Sequence, residues 1–211
     1  MKTIVTMIFA GALLFSSCGS DAVEAKDAEK EAEGKKENTV YVIDTKESTV
    51  EWTGTKLNSG HTGLIDIKSG ELKADGKLIT AGAFMIDMKS IHETGNEDTE
   101  SAEMLAGHLM AADFFDAEVH PTCSFAITQV TEKDGDYIIS GNLTIKGIEK
   151  NISFPAKVEA DGKVLMADAE FTINRNDWGV SYGSGITGAV ADKAIGDDIS
   201  FVVHLKADVA K

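Results

Sequence analysis

Hydrophobic and polar positions alternate over most of the 211-residue chain. The alternation is clear around Trp52, returns in five further segments and ends in the run 199–205. A period of two residues is typical of half-buried β-strands. Asp-Gly pairs at 75–76, 134–135 and 161–162 favour hairpins between such strands. The pattern predicts an all-β domain of eight or nine antiparallel strands, arranged as an up-and-down barrel or a sandwich.

Two segments depart from this alternation. Thr99–Met110 follows Asp98, a suitable N-cap residue, and groups its large apolar residues with His108 on one side, which predicts a single short helix. The segment 174–196 is rich in glycine and has neither the helical nor the strand period. Long connections of this kind commonly cover the open end of a barrel.

The amino terminus has the features of an export signal over residues 1–17. Lys2 precedes an uncharged run of thirteen residues, which is shorter than the roughly 20 needed to span a bilayer. Two serines stand directly before Cys18 and resemble the lipobox of bacterial lipoproteins, although Phe15 replaces the usual aliphatic residue. This resemblance implies that Cys18 carries a diacylglycerol and a further acyl chain. The alternative is an ordinary signal peptide cut near Ser17, which leaves a free thiol.

Residues 18–38 are predicted to be the lipidated cysteine followed by a flexible acidic tether. Val23 is the only large aliphatic residue from 19 to 38, too little to offset the entropy of ordering or to pack on a core. A random coil of this length holds the domain on the order of 25 Å from the membrane. Residues 39–211 have no internal repeat or composition break, and we expect them to form one domain.

Charge and cysteine content narrow the choice of partners. The formal charge is −15, and removal of residues 1–17, whose only charged residue is Lys2, takes it to −16. Nucleic acid and anionic headgroups are poor partners for such a surface, so membrane attachment would depend on lipid at Cys18. The only other cysteine, Cys123, then has no intramolecular partner. It begins an alternating apolar run and is predicted to be a buried core residue.

Two apparent enzyme motifs overlap in the glycine-rich segment. Residues 179–183 match G-x-S-x-G, with Ser181 as the serine, but lack the parallel strand and long helix of a nucleophile elbow. The glycines at 183, 185 and 188 match G-x-G-x-x-G without a βαβ unit around them. The five histidines show no metal-ligand spacing. We therefore expect no catalytic residue, no metal site and no cofactor.

Several separated motifs occur in an order that resembles the YceI-like, polyisoprenoid-binding family. They are Tyr-Val-Ile-Asp at 41–44, Ser-Thr-Val-Glu-Trp at 48–52, His61 with Gly63, His-Leu at 108–109, Asp-Phe-Phe-Asp at 113–116, Pro121, Gly-Asn-Leu-Thr-Ile-Lys-Gly at 141–147, Asn-Arg-Asn-Asp-Trp-Gly at 174–179 and an alternating strand after Gly196. The resemblance covers about residues 39 to 208. It implies a lipocalin-like barrel of eight antiparallel strands, whose long apolar interior holds an isoprenoid or other long-chain amphiphile.

The inward positions of the predicted strands supply candidate ligand-binding residues. The cavity candidates are Trp52, Phe84, Ile86, Phe125, Ile127, Leu143, Ile145, Phe154, Phe171, Ile173 and Phe201. A barrel of eight strands is wide enough either to hold one slim ligand or to be filled by such side chains. The head-group candidates are Arg175, which continues an inward face past a strand end, with Trp178 and His61. An internal ion pair is the alternative role for Arg175.

The sequence favours non-catalytic binding, storage or transport of a long-chain lipid, such as a polyprenyl phosphate, an isoprenoid quinone or a fatty amide. The expected location is the cell envelope, with the protein anchored to a bacterial membrane on its periplasmic side or at the cell surface. One alternative is a structural or partner-binding lipoprotein with a filled barrel. Another is a lipid-directed hydrolase that uses Ser181 or the histidines. The resemblance is compatible with a homodimer, although no exposed apolar stripe requires one.

Overall fold

The computed structural model describes residues 22–56, 59–133, 135–185 and 194–210, and antiparallel strands dominate it. The strands are Thr39–Ile43 (β1), Thr49–Lys56 (β2), Ser59–Ile65 (β3), Ile67–Asp75 (β4), Leu78–Asp87 (β5), His92–Glu93 (β6), Thr122–Lys133 (β7), Asp136–Ile145 (β8), Ile148–Ala160 (β9), Val164–Asn174 (β10) and Ile195–Val209 (β11). The α-helix is Thr99–Met110 (α1), and 3-10 turns span Met88–Ser90 and Arg175–Trp178. No helix within the described ranges has both the length and the apolarity needed to cross a bilayer.

The strands close into a barrel whose wall has eight antiparallel positions. We call each position a stave, and it is formed either by one strand or by two successive strands. β1 and β2 act as one interrupted stave and β3 and β4 as the next, because β1 pairs with β4 while β2 pairs with β3. The order then runs through β5, β7, β8, β9, β10 and β11. β11 closes the ring by pairing with both parts of the first stave, with Phe201 opposite Trp52 and Val209 opposite Tyr41. The predicted lipocalin-like up-and-down barrel is confirmed.

Local sequence explains the connections. The Asp-Gly pairs at 75–76 and 161–162 join β4 to β5 and β9 to β10, as predicted. Lys146 and Gly147 join β8 to β9 with φ angles of 52° and 74°, the positive values that a two-residue type I′ hairpin needs. Helix α1 begins directly after Asp98, whose carboxylate accepts the backbone N–H two residues later. The predicted helix is confirmed.

The prediction of a flexible tether is wrong for residues 22–38, which lie against the outside of the barrel. β9 and β10 hydrogen-bond to each other only over residues 156–160 and 165–169, and separate beyond them. Val23 donates its backbone N–H to the carbonyl of Thr172 on β10 at 2.7 Å. Val23 also packs against the barrel core, although the sequence predicted no such packing.

The same segment then runs over the outside of the barrel, across β9, β8 and β7 in turn. Lys26 exchanges backbone hydrogen bonds with Asn151 of β9, at 2.8 and 2.9 Å. Glu29 exchanges hydrogen bonds with the side-chain amide of Asn142 on β8, at 3.0 and 2.7 Å. Ala32 donates its N–H to Ile127 of β7 at 2.8 Å. We call residues 22–33 the strap.

Composition could not predict the strap because its partners belong to the barrel. Asn142 and Asn151 face each other across β8 and β9 and are buried, although their positions alternate to the outer side of the wall. Buried amides need hydrogen-bond partners: the backbone of Glu29 in the strap provides two for Asn142, whereas the Asn151 amide donates to Thr128 and to Asn142. The segment is held chiefly by such bonds, which a count of apolar residues does not register.

Candidate ligand cavity

The barrel encloses a cavity of about 540 Å³. This volume is within the range of about 300–1,000 Å³ that small-molecule sites occupy. Its wall consists almost entirely of apolar side chains from the staves and from α1. The interior is therefore a cavity, and the filled barrel considered from the sequence is not the structure observed.

Ten of the eleven cavity candidates line this space. They are Trp52, Phe84, Ile86, Phe125, Ile127, Leu143, Ile145, Phe154, Phe171 and Phe201. The eleventh, Ile173, faces inward but is fully buried within the core and does not line the cavity. A period of two residues predicts which face a side chain takes, but it does not predict its depth along the barrel.

Five phenylalanines form a continuous aromatic row along the cavity wall. The row runs Phe84, Phe125, Phe154, Phe171 and Phe201, with successive ring centroids 5.5, 5.5, 4.3 and 5.5 Å apart. It crosses β8 without a phenylalanine because Gly141 lies there: a Cβ at this position would approach the Phe125 ring to 2.2 Å. The glycine thus lets the Phe125 ring lie over β8 and reach the ring of Phe154.

One end of the cavity opens to solvent, and we call it the mouth. Three lining side chains there are exposed: Thr55, Lys56 and Tyr182. Leu105 and His108 of α1 also line the cavity, and the His108 ring meets Tyr182 edge-on at 4.8 Å. Sequence reasoning recognised the apolar side of the helix but did not assign it to the cavity. The grouping of Leu105 with His108 on one side of the helix was the sequence signal that could have assigned this side to the cavity.

The adjacent Phe114 and Phe115 were also missed as cavity residues. Both are buried, both line the cavity, and their rings meet edge-on at 5.0 Å. The sequence indicated only a tight acidic and aromatic turn. Phenylalanines flanked by acidic residues in a turn are a signal that the rings pack inward while the carboxylates stay in solvent.

His61, one of the head-group candidates, lines the cavity beside its mouth. Its Nδ1 atom is 2.6 Å from Oε1 of Glu93, whose side chain is only 4% exposed. Asn96 donates to the second carboxylate oxygen at 3.4 Å. A carboxylate on one ring nitrogen fixes the orientation of the imidazole and leaves the other nitrogen for a further partner. The pair can therefore present a positioned polar group to a ligand.

Arg175 lines the cavity, but protein groups occupy its guanidinium. Its side chain is 1% exposed and donates to the carbonyls of Gly196 (2.9 Å), Val180 (2.5 Å) and Ile195 (3.1 Å). Asp197 lies 3.5 Å from Nη2 and completes an internal ion pair. Burial lowers the pKa of Arg175, and Asp197 partly opposes this shift. The head-group prediction is not supported, because the guanidinium instead joins the residues that follow β10 to the first residues of β11.

Trp178 is wrong as a head-group candidate. It is fully buried, does not line the cavity, and donates its indole N–H to the carbonyl of Leu143 at 2.9 Å. Its position beside Arg175 in sequence suggested a shared polar mouth. The 3-10 turn instead directs this ring into the core, where the hydrogen bond satisfies its one polar atom.

Cys123 is the buried residue that its alternating run predicted. It lines the cavity, and its Sγ atom lies 3.0 Å from Sδ of Met88. Burial raises the pKa of the thiol to about 12. A thiol that remains protonated at neutral pH is a poor nucleophile.

Ser181, the serine of the G-x-S-x-G match, lies in the connection between β10 and β11. It follows the 3-10 turn Arg175–Trp178, and within the described ranges no parallel strand precedes it. Across that part of the chain, no group of three or more His, Cys, Asp or Glu residues has the geometry to hold a metal ion.

Comparison with known families matches residues 41–207 to the YceI-like domain. The chain belongs to the YceI-like family. The matched range begins within β1 and ends within β11, so it includes every stave of this YceI-like barrel.

Two curated relatives are UPF0312 proteins of Pectobacterium. The protein of P. carotovorum subsp. carotovorum is 31% identical in an alignment over 118 residues, and the match covers 49% of this chain and 61% of the relative. The protein of P. atrosepticum is 33% identical over 98 residues, 44% of this chain and 50% of the relative. The YceI-like chain thus covers less than two thirds of the length of each.

Solved structures support the same fold. BcnA of Burkholderia cenocepacia superposes with a TM-score of 0.64 at 23% identity, covering 78% of this chain and 99% of BcnA. A polyisoprenoid binding domain from Saccharophagus degradans, implicated in plant cell wall breakdown, superposes with a TM-score of 0.61 at 15% identity, covering 82% and 99%. At these identities the likeness establishes the barrel and not a shared ligand.

Proposed function

We propose that this YceI-like protein binds a long-chain isoprenoid or another amphiphilic lipid inside its barrel, without catalysis, and stores or transports it at the cell envelope. The observation that carries the proposal is the apolar cavity with one polar mouth. Burial of about twenty ligand carbons at ~0.8 kcal/mol each would contribute ~16 kcal/mol before the costs of association. Binding of the chain therefore does not require a charged contact.

The geometry favours a ligand with an apolar chain and a small polar head. The aromatic row offers a continuous apolar wall for the chain, and His61 with Lys56 offers polar groups near the mouth. A polyprenyl phosphate, an isoprenoid quinone and a fatty amide all have this build. The structural likeness to the polyisoprenoid binding domain of Saccharophagus supports an isoprenoid among them.

The proposal includes an anchor at the amino terminus. The export signal over residues 1–17 and the lipid-accepting Cys18 both lie outside the described residues, and their support is the sequence itself. An anchored lipid-binding barrel would remain beside the membrane that supplies or receives its ligand. Intact mass of the protein extracted from membranes tests the anchor. We expect acyl additions on the amino-terminal peptide that Cys18→Ala removes, and an unmodified peptide would refute the anchor.

Extraction of the purified protein tests the ligand. Native mass spectrometry with organic extraction is expected to detect a long-chain species in the wild type. Ala169→Trp places a large ring in the cavity, because Ala169 lines it, and should reduce the extracted lipid severalfold. Glu170→Trp is the matched control, since Glu170 is the next residue of β10 and is exposed. Repeated absence of any long-chain species, or equal lipid in both variants, would refute binding in this cavity.

A further inference from the structure

The strap reaches the barrel near its mouth. Antiparallel register places Asn174, the end of β10, opposite Asp198 near the start of β11, and both lie at the mouth end. Val23 bonds to Thr172, which is only two residues from the end of β10. From there the strap crosses β9, β8 and β7 toward the opposite end, where Lys73 donates to the carbonyl of Glu33 at 3.1 Å.

The length of chain between Cys18 and the strap limits how the barrel can be oriented. Five residue steps separate Cys18 from Val23, and they span at most about 18 Å at ~3.3–3.6 Å each. The mouth end of β10 lies two steps, or ~7 Å, from Thr172, whereas its other end at Val164 lies eight steps, or ~26 Å, away. The chain between Cys18 and Val23 is therefore long enough to reach the mouth end of β10 but not its opposite end.

Exposed apolar side chains surround the mouth end. Met104 on α1 is 64% exposed, Val119 before β7 is 67% exposed, Ile148 at the β8–β9 hairpin is 39% exposed and Tyr182 is 46% exposed. Apolar side chains with tyrosine are suited to the interface of a bilayer, where the ring is buried and the hydroxyl remains hydrated. We call these four residues the rim.

We propose that the strap docks the mouth end of the barrel onto the bilayer surface, with the rim in contact with lipid. This inference rests on the lipid anchor at Cys18 that the proposed function includes. The partner is a zwitterionic lipid surface, because the net negative charge of the protein disfavours an anionic one. In this orientation a ligand passes between bilayer and cavity at the contact, without crossing bulk water. A freely jointed tether would give no such preference.

Tryptophan quenching tests the orientation. A chain that begins at Cys18 is coupled through this thiol to a maleimide phospholipid, while Cys123 is buried, and is bound to phosphatidylcholine vesicles with brominated acyl chains. Ile148→Trp reports on the mouth end. Leu78→Trp is the matched control at the other end, because both residues are 39% exposed and both follow a hairpin turn. After subtraction of the native tryptophans, Ile148→Trp should lose at least twice the fraction of emission that Leu78→Trp loses.

Equal quenching at the two positions, or stronger quenching at position 78, would overturn the orientation. Coupling the lipid chemically makes this result independent of whether cells acylate Cys18, so failure of the anchor in cells and failure of the orientation give separate readouts. Replacement of residues 24–31 by a glycine and serine sequence of equal length should bring the two quenching values together, with circular dichroism to verify folding. A difference that persists in this folded variant would overturn the role of the strap.

Discussion

The rings of Phe154 and Phe171 stack at 4.3 Å with an angle of 11° between their planes. They face each other where β9 and β10 have stopped hydrogen-bonding, two residues beyond the last pair, Ala156 and Ala169. Inside the barrel the stacked rings cover this separation, and outside it the strap does so through Val23. The wall of the cavity is thus completed here by side chains and by the strap.

A double-mutant cycle should detect this stack. Phe154→Leu and Phe171→Leu, singly and together, are expected to show a coupling of about 0.5–1.5 kcal/mol, because the paired rings gain energy beyond their buried area. Urea unfolding supplies the free energies of unfolding. The control cycle joins Phe84 to Phe201, at opposite ends of the aromatic row, and should be additive within about 0.5 kcal/mol. Additivity at both pairs would show that the stack contributes nothing.

The strap should depend on the buried amide of Asn142. Asn142→Ala removes both hydrogen bonds to Glu29 and is expected to cost about 1–3 kcal/mol, because backbone groups of the strap lose their partner. Limited proteolysis should then cut within residues 22–33. Ser140→Ala is the control on the same strand, since it removes only an exposed bond to Ser153, and its cost should stay below about 0.5 kcal/mol. Equal protease resistance in both variants would contradict a strap held by Asn142.

The barrel could be predicted from the sequence because its information is local. Alternation around Phe125 or Phe171, the Asp-Gly hairpins and the cap at Asp98 each act within a few residues, and the structure confirms them. The same local rule predicted ten lining residues, since one inward face continues along a whole strand. It failed at Ile173, where burial depends on what covers the end of the strand.

The missed features depend on partners far along the chain. The carbonyls that occupy Arg175 include those of Gly196 and Ile195, about twenty residues later. The Asn142 amide that bonds to the strap lies 113 residues from Glu29. Polar contacts of this kind leave no period in the sequence, so Arg175 and the segment 22–33 were assigned from composition and position alone.

Stability should fall in alkaline solution through Cys123. Burial raises the pKa of the folded thiol to about 12, above its ordinary value of 9.0, so the folded state holds its proton where the unfolded state has lost it. The protonated buried thiol makes its full contribution to the free energy of unfolding below about pH 9. This contribution is lost as the pH rises from there toward 12, by at most about 1.4 kcal/mol per pH unit. Unfolding from pH 8 to 11 measures the difference between Cys18→Ser and Cys18→Ser with Cys123→Ala. A pH-independent difference would contradict the shift.

The pair formed by His61 and Glu93 should set the affinity for a polar head group. Glu93→Gln removes the charge that orients the imidazole and is expected to weaken binding of a polyprenyl phosphate about tenfold, or about 1.4 kcal/mol. Binding of the matching polyprenyl alcohol should change less, because its affinity comes mainly from the chain. Displacement of a fluorescent fatty probe measures both ligands.

An outer histidine supplies the control for that experiment. His204 lies 2.6 Å from Asp168 in a pair of the same kind, but both side chains are more than half exposed on the outside of the barrel. Asp168→Asn should therefore leave both affinities unchanged. If Glu93→Gln weakens the alcohol and the phosphate equally, the pair acts through the shape of the mouth; if it weakens neither, His61 does not contact the head group. A selective loss for the phosphate alone would identify His61 as the group at the mouth that distinguishes one lipid head from another.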